Sequence, residues 1–214
     1  MQLRTAASAS LYTPSGQRKY LTAEERRRFL EAVHRCGRPE LGTLCLTLAY
    51  TGCRISEALA LTRASVAMGS GFIAIRSLKK RSCTIAVREI PVPASLLNLL
   101  EMAHGITDGS PNAKLWTFSR SRAWQLVKGV MKQAGIAAGP HATPKGLRHG
   151  FGLHAIRSGV PLNLVQRWLG HARMETTAIY LQAMGHEERE IAARMWSEPL
   201  AYPDRAIAGD VAPW

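Results

Sequence analysis

The sequence predicts a mainly α-helical fold with one small antiparallel β-sheet, an α+β domain. Three observations carry this. Apolar residues recur at helical spacing, with cap signals, in short stretches from about residue 21 to 196. A single stretch, 71–93, instead holds two Ile/Val-rich runs around a basic turn. Apolar residues make up 46% of 214 residues, enough for one real core and too many for a disordered chain.

Residues 1–20 are polar and turn-rich and read as a basic flexible tail. "LTAEERRRFLEAV" (21–33) opens a helix with a capping-box signature, Thr22 and Glu25, and puts Phe29, Leu30 and Val33 on one face. A second helix runs from about Pro39 to Tyr50; "TGCR" (51–54) breaks it and "ISEALALT" starts a third. "GFIAIRSLKKRSCTIAVREIPVP" (71–93) is the hairpin, and "ASLLNLLEMAHG" (94–105) returns to helix and stops at a glycine. "SRAWQLVKGVMKQAG" (121–135) and "TPKGLRHGFGLHAIRSG" (143–159) follow, the latter with Thr143 as N-cap, Pro144 in the first turn and Gly159 as stop. "PLNLVQRWLG" (161–170), the stretch "LGHARMETTAIYLQ" (169–182) and "HEEREIAARMW" (186–196) complete the helices, with Tyr180 inside a helical pattern. The domain spans 21–198, and 199–214 is a C-terminal tail. Trp124, Trp168 and Trp196 fall at apolar helical positions and are assigned to core or interface.

Charge narrows the class of partner. There are 28 Lys and Arg against 15 Asp and Glu, a formal +13, which points to a polyanion and foremost to nucleic acid. No run approaches the roughly 20 apolar residues of a membrane span, so no membrane partner is expected. Cys36, Cys45, Cys53 and Cys83 show no C-x-x-C spacing and lie in apolar runs, so free buried thiols in a reducing cytoplasm are expected, with no structural metal. His34, His104, His141, His154 and His186 are scattered without ligand spacing and receive no function.

Breaking a phosphodiester needs a nucleophile, donors for the non-bridging oxygens and a proton for the leaving oxygen. The carboxylates lie mostly in surface runs such as "EERRR", so a two-metal site is poorly supported and no cofactor is expected. Arginine offers a metal-free alternative, because its planar fork grips phosphate and stays charged. Arg54 follows a Thr-Gly break, Arg148 sits among Leu147, Phe151 and Leu153, and Lys79 and Lys80 crown the hairpin turn.

In order, these read T-G-x-R-x-S-E, a hairpin lysine, L-R-H, L-G-H, and a tyrosine nine residues on. That series resembles the catalytic domain of the tyrosine recombinases, the phage integrase family, over roughly 21–196. The resemblance implies that Arg54 and Arg148 clamp a scissile phosphate of double-stranded DNA, and that His171 donates to it or assists proton movement. It implies that Tyr180 attacks phosphorus to form a 3′-phosphotyrosyl link, and that Lys79 or Lys80 protonates the departing 5′-oxygen; a one-residue slip in register exchanges the two lysines. Neighbouring cations are expected to favour the phenolate. Strand exchange without metal or ATP, by a homo-tetramer on DNA with a possible second recombinase or accessory protein, is the implied activity, as in mobile-element integration. A non-catalytic DNA-binding regulator with the same fold is the alternative.

The chain departs from the family pattern at Lys145, which stands where H-x-x-R would place a histidine. Lysine keeps a cationic donor but is not a neutral imidazole at pH 7, which leaves proton shuttling there in doubt. His149 lies about 100° round a helix from Arg148 and is expected to pack or brace the site. Glu57, one turn after Arg54, could orient a catalytic side chain or sit on the surface. About 20 residues precede Thr22, too few for the separate amino-terminal domain such proteins commonly carry, so a C-shaped half-clamp on DNA is expected. The helix at 186–196 either packs on its own domain or docks on a neighbour.

Overall fold

The computed structural model describes residues 10–77, 86–181 and 193. Its elements run α1 (Ala23–His34), α2 (Pro39–Thr51), α3 (Ile55–Ala58), a 3-10 turn (Arg63–Ser65), β1 (Val66–Ala67), β2 (Phe72–Arg76), β3 (Val87–Pro91), α4 (Ala94–His104), α5 (Arg120–Gln133), α6 (Pro144–Arg157), α7 (Leu162–Leu169) and α8 (Glu175–Ala178). Residues Met1–Ala183 form one unit and Met184–Trp214 a second, and every element named here belongs to the first. The mainly helical class with a small antiparallel sheet is what the chain adopts.

The centre is α2. Leu41, Leu44, Cys45, Leu46, Leu48 and Ala49 are all buried, so the helix is covered on every side rather than along one stripe. It packs against α1, α3, α4, α5 and α6, which explains why "LGTLCLTLAY" has no polar face. Leu44 and Leu48 are essentially unexposed, and truncating either to alanine would cost about 2–5 kcal/mol. The α1 start follows its sequence signal: the Glu25 amide donates to Thr22 Oγ1 at 3.2 Å, and the Thr22 amide to Glu25 Oε2 at 3.0 Å.

Residues 10–20, expected as part of a flexible tail, fold onto the domain instead. Leu11 is buried, Tyr12 and Arg18 form an antiparallel bridge, and the Arg18 guanidinium grips the buried Glu25 carboxylate at 2.6 and 2.5 Å. A buried carboxylate requires a paired cation, and that requirement anchors the segment.

The sheet has three strands in the order β1-β2-β3, all antiparallel. The first is two residues long, too short to show periodicity. Between β2 and β3 the register pairs Ile73 with Ile90 and Ile75 with Arg88, so these four face inward together. Three are apolar, as a buried face should be. The fourth is an arginine, and it leads to the site.

Candidate functional site

Two helices end in the same way at one place. α2 stops at Gly52, with φ of 60°, and α7 stops at Gly170, with φ of 63°, both in the left-handed region where only glycine is free of strain. The carbonyls at a helix C-terminus lack partners within the helix and carry partial negative charge. Arg148, on buried α6, supplies both ends: Nη1 donates to the Gly52 carbonyl at 2.7 Å and Nη2 to the Leu169 carbonyl at 2.5 Å. Only part of the guanidinium's donor set is used. Burial, then repulsion from Arg54, lowers the Arg148 pKa to about 10.

Arg54 is the N-cap residue of α3, two residues past Gly52. Its amide donates to Glu57 Oε2 at 2.9 Å and its Nη1 to Glu57 Oε1 at 2.8 Å. Glu57 is buried, which settles its reading: it is not a surface carboxylate but the anion between two guanidiniums. The second is Arg88 of β3, whose Nη2 lies 2.6 Å from Glu57 Oε2 and whose Nε donates to the Trp168 carbonyl at 2.7 Å. Burial works against the Glu57 charge, but Arg88, the Arg54 amide and the Arg54 guanidinium outweigh it and hold its pKa below the usual value.

Sequence reasoning missed Arg88, although a signal existed. In "VREIP" the period-2 alternation puts Arg88 on the face of Ile90, and a charge on an apolar strand face needs a buried partner.

Tyr180 is fully buried just beyond α8, a single turn, rather than within a longer helix. Its ring lies across Gly152 of α6, where an added Cβ would be 2.5 Å from Cζ. The phenol oxygen is 3.1 Å from His149 Nδ1. His149 therefore braces the site, and it does so at the phenol. His171 stacks on the phenol ring at 6.4 Å between centroids and 17° between planes, while its Nδ1 meets Thr177 Oγ1 at 2.9 Å. The charges of Arg148 and Arg54 reach the phenol and lower its pKa, but burial exceeds them and pushes it up to about 12. The expected shift toward phenolate is thus reversed, because the desolvation of an unexposed hydroxyl is larger than the attraction of two cations already partly neutralised by Glu57 and the helix carbonyls.

Arg54, Arg148, His171 and Tyr180 are brought together. Lys145 lies on the exposed face of α6, one turn before His149. Lys79 and Lys80 lie outside the described residues, as do Cys83 and all but one residue of 186–196. Cys45 and Cys53 are buried free thiols, whereas Cys36 is only half-buried after α1. Trp168 packs against the core and Trp124 is 42% exposed beneath Lys128, while the fully buried tryptophan among the described residues is Trp116. Among the described residues no group of three or more His, Cys, Asp or Glu could hold a metal, and no helix is long and apolar enough to cross a membrane.

A helical domain presenting this set of side chains has the architecture of the tyrosine recombinase catalytic domains. Residues 19–187 match the model of the Phage integrase family, and the chain belongs to that family. It is 30% identical over 186 residues to the tyrosine recombinase XerA of Pyrococcus furiosus, covering 82% of this chain and 61% of that one. The chain thus spans about three fifths of that relative's length. The fold matches the catalytic domain of bacteriophage HP1 integrase with a TM-score of 0.62 at 22% identity, covering 86% of this chain and 97% of that one. It matches XerH site-specific recombinase bound to its difH substrate with a TM-score of 0.66 at 22% identity, covering 86% and 59%.

Proposed function

We propose that this chain is the strand-cleaving and rejoining part of a site-specific DNA recombinase, acting through a 3′-phosphotyrosyl intermediate without metal or ATP. One observation carries the reading: a fully buried phenol sits within reach of the Arg148 and Arg54 guanidinium charges. Arg54, Arg88 and Arg148 are offset by Glu57, and burial has already lowered the Arg148 pKa. A phosphate diester beside these guanidiniums relieves that repulsion, so the site favours an anion. The formal +13 of the chain suits a DNA backbone.

In this scheme Arg54 and Arg148 hold the non-bridging oxygens, using the donors that Glu57 and the helix carbonyls leave over. His171 adds a donor to the same phosphate. Tyr180 attacks phosphorus, and Lys79 or Lys80 protonates the 5′-oxygen. Lys145 contributes charge to the phosphate from the rim of α6. The bond energy stored in the phosphotyrosyl ester lets the strand reseal without ATP. The partner is double-stranded DNA, the working assembly a homo-tetramer, with a second recombinase or accessory protein admissible, and the compartment the cytoplasm.

The buried, protonated phenol is the observation that favours a second reading, a non-catalytic DNA-binding regulator. Incubation with nicked suicide DNA followed by denaturation in SDS separates the two. A covalent adduct that disappears in Tyr180→Phe supports strand transfer. Tight binding with no adduct supports the regulator and refutes strand transfer.

A further inference from the structure

We propose that His149 takes the phenolic proton from Tyr180 during strand cleavage and returns it during religation. The inference rests on the strand-transfer reading and assigns a step that Lys145 cannot perform, since an ammonium only donates. His149 Nδ1 is 3.1 Å from the phenol oxygen, with the rings 6.0 Å apart and tilted by 59°. The other side chains around the phenol are poorly suited to accept its proton. Arg54 and Arg148 are donors. Glu57 is held charged between Arg54 and Arg88. His171 faces the phenol ring in a stack, with Nδ1 directed to Thr177.

The 100° between His149 and Arg148 around α6, which argues against His149 on the phosphate, places it on the nucleophile instead. Gly152, one turn further along the same helix, provides the space in which the phenol lies against that imidazole.

The proton inventory closes. Tyr180 Oη bonds to phosphorus as its hydrogen passes to Nδ1, with the other imidazole nitrogen carrying the ring's original proton. The bond from phosphorus to the 5′-oxygen breaks, and that oxygen leaves with the electron pair and takes a separate proton from Lys79 or Lys80. Religation reverses each transfer, the 5′-hydroxyl attacking phosphorus and the imidazolium reprotonating the phenolate.

The groups facing His149 are Lys145 and Arg148 on α6 and Lys19 from the segment before α1. Burial and then these cations depress its pKa to about 4, so the imidazole is neutral at working pH and its lone pair is available. It is a weak base in the free chain. The incoming phosphate offsets Arg148, and transfer is needed only as the oxygen–phosphorus bond forms and the phenol becomes acidic.

The test measures the rate of adduct formation on nicked suicide DNA from about pH 6 to about pH 9, for the full chain, Tyr180→Phe and His149→Asn. Asparagine keeps an acceptor near the Nδ1 position but cannot take a proton, so a bracing role alone would survive the change. His149→Asn is expected to be slower by about 100-fold or more near pH 7. It should recover by about tenfold per pH unit as free phenolate supplies the nucleophile, and a 5′-bridging phosphorothiolate, whose leaving group needs no proton, should not rescue it. A rate within about threefold of the full chain, a loss equal at every pH, or rescue by the sulfur leaving group would overturn the proposal. If His149→Asn does not fold, the pH profile of the full chain decides. A flat rate across this range supports an internal acceptor, and a rise of about tenfold per unit refutes it. An absence of adduct from the full chain removes the strand-transfer reading and this inference with it, whereas a normal adduct from His149→Asn removes the inference alone.

Discussion

Arg88→Met isolates the buried ion pair from any contact with DNA. Arg88 and Glu57 side chains are 6% and 2% exposed and meet at 2.6 Å, so neither is rescued by solvent when its partner is removed. Methionine fills most of the volume but leaves the Glu57 carboxylate with Arg54 alone and the Trp168 carbonyl without its 2.7 Å donor. Removing one member of a buried pair costs about 3–5 kcal/mol. At about 2–4 °C per kcal/mol for a chain of this size, Tm should fall by about 10 °C. The deficit should also depend on pH. In the parent, the Glu57 pKa is lowered from 4.5, so its contribution is present above that value and is lost as pH falls through the folded-state pKa. Arg88 is the largest of the causes lowering it, so in the variant the pKa rises and burial opposes the charge with less resistance. The stability gap is therefore widest near pH 7 and narrows on acidification, by about 1.4 kcal/mol for each unit of that rise. Thermal unfolding measures the first quantity, and urea unfolding at neutral pH and near pH 4 measures the second. A Tm within about 2 °C of the parent, or a deficit unchanged between the two pH values, would refute this account of the pair.

Gly152→Ala should cost about 1–3 kcal/mol, since its Cβ would stand 2.5 Å from Tyr180 Cζ, and near-ultraviolet absorbance should report a tyrosine newly exposed to water. Thr22→Ala should lower stability by about 1 kcal/mol in urea titration by removing the 3.2 Å cap on the Glu25 amide. Arg148→Lys should abolish the DNA adduct and destabilise the chain, because a single ammonium cannot span the Gly52 and Leu169 carbonyls together and still face a phosphate; retained adduct formation would contradict the role given to the fork.

The long helices and the hairpin were legible because their signals are local. Thr22 with Glu25, Thr143 with Pro144, and the stop glycines each specify an end without reference to the rest of the chain. Failures came where packing decides. The strand at Val66–Ala67 pairs with Phe72 and Ile73 yet is too short to carry a period. The third and eighth helices shrink to four residues each, since short apolar runs fit a turn against the core as well as a helix. Tyr180 was legible as a candidate from its distance to His171, but its protonation was not. Spacing reports which cations are near, whereas the pKa near 12 is set by how completely water is excluded, a property of the packing around the ring, with His149 and Gly152 of α6 and His171 against it.

The spacing of the two short motifs has a physical origin in the helix ends. In "TGCR" and "LGH" a helix terminates on a left-handed glycine, at Gly52 and Gly170, and Arg54 and His171 follow within two residues. A left-handed residue reverses the chain tightly, so Arg54 and His171 are delivered beside the ends they follow rather than away from them. The same turn exposes carbonyls that need donors. At the end of α7, Gln166 and Arg167 are served by the amides of His171 and Gly170, Trp168 by Arg88 and Leu169 by Arg148. Gly170 has a second reason to lack a side chain, because a Cβ there would come within 3.1 Å of Arg88 Nη1. Each arginine thus completes a helix end and gathers positive charge at the same point. Their removal would unseat Arg54 and His171 as well as weaken the pocket's hold on an anion, which couples the stability of this corner of the fold to its chemistry.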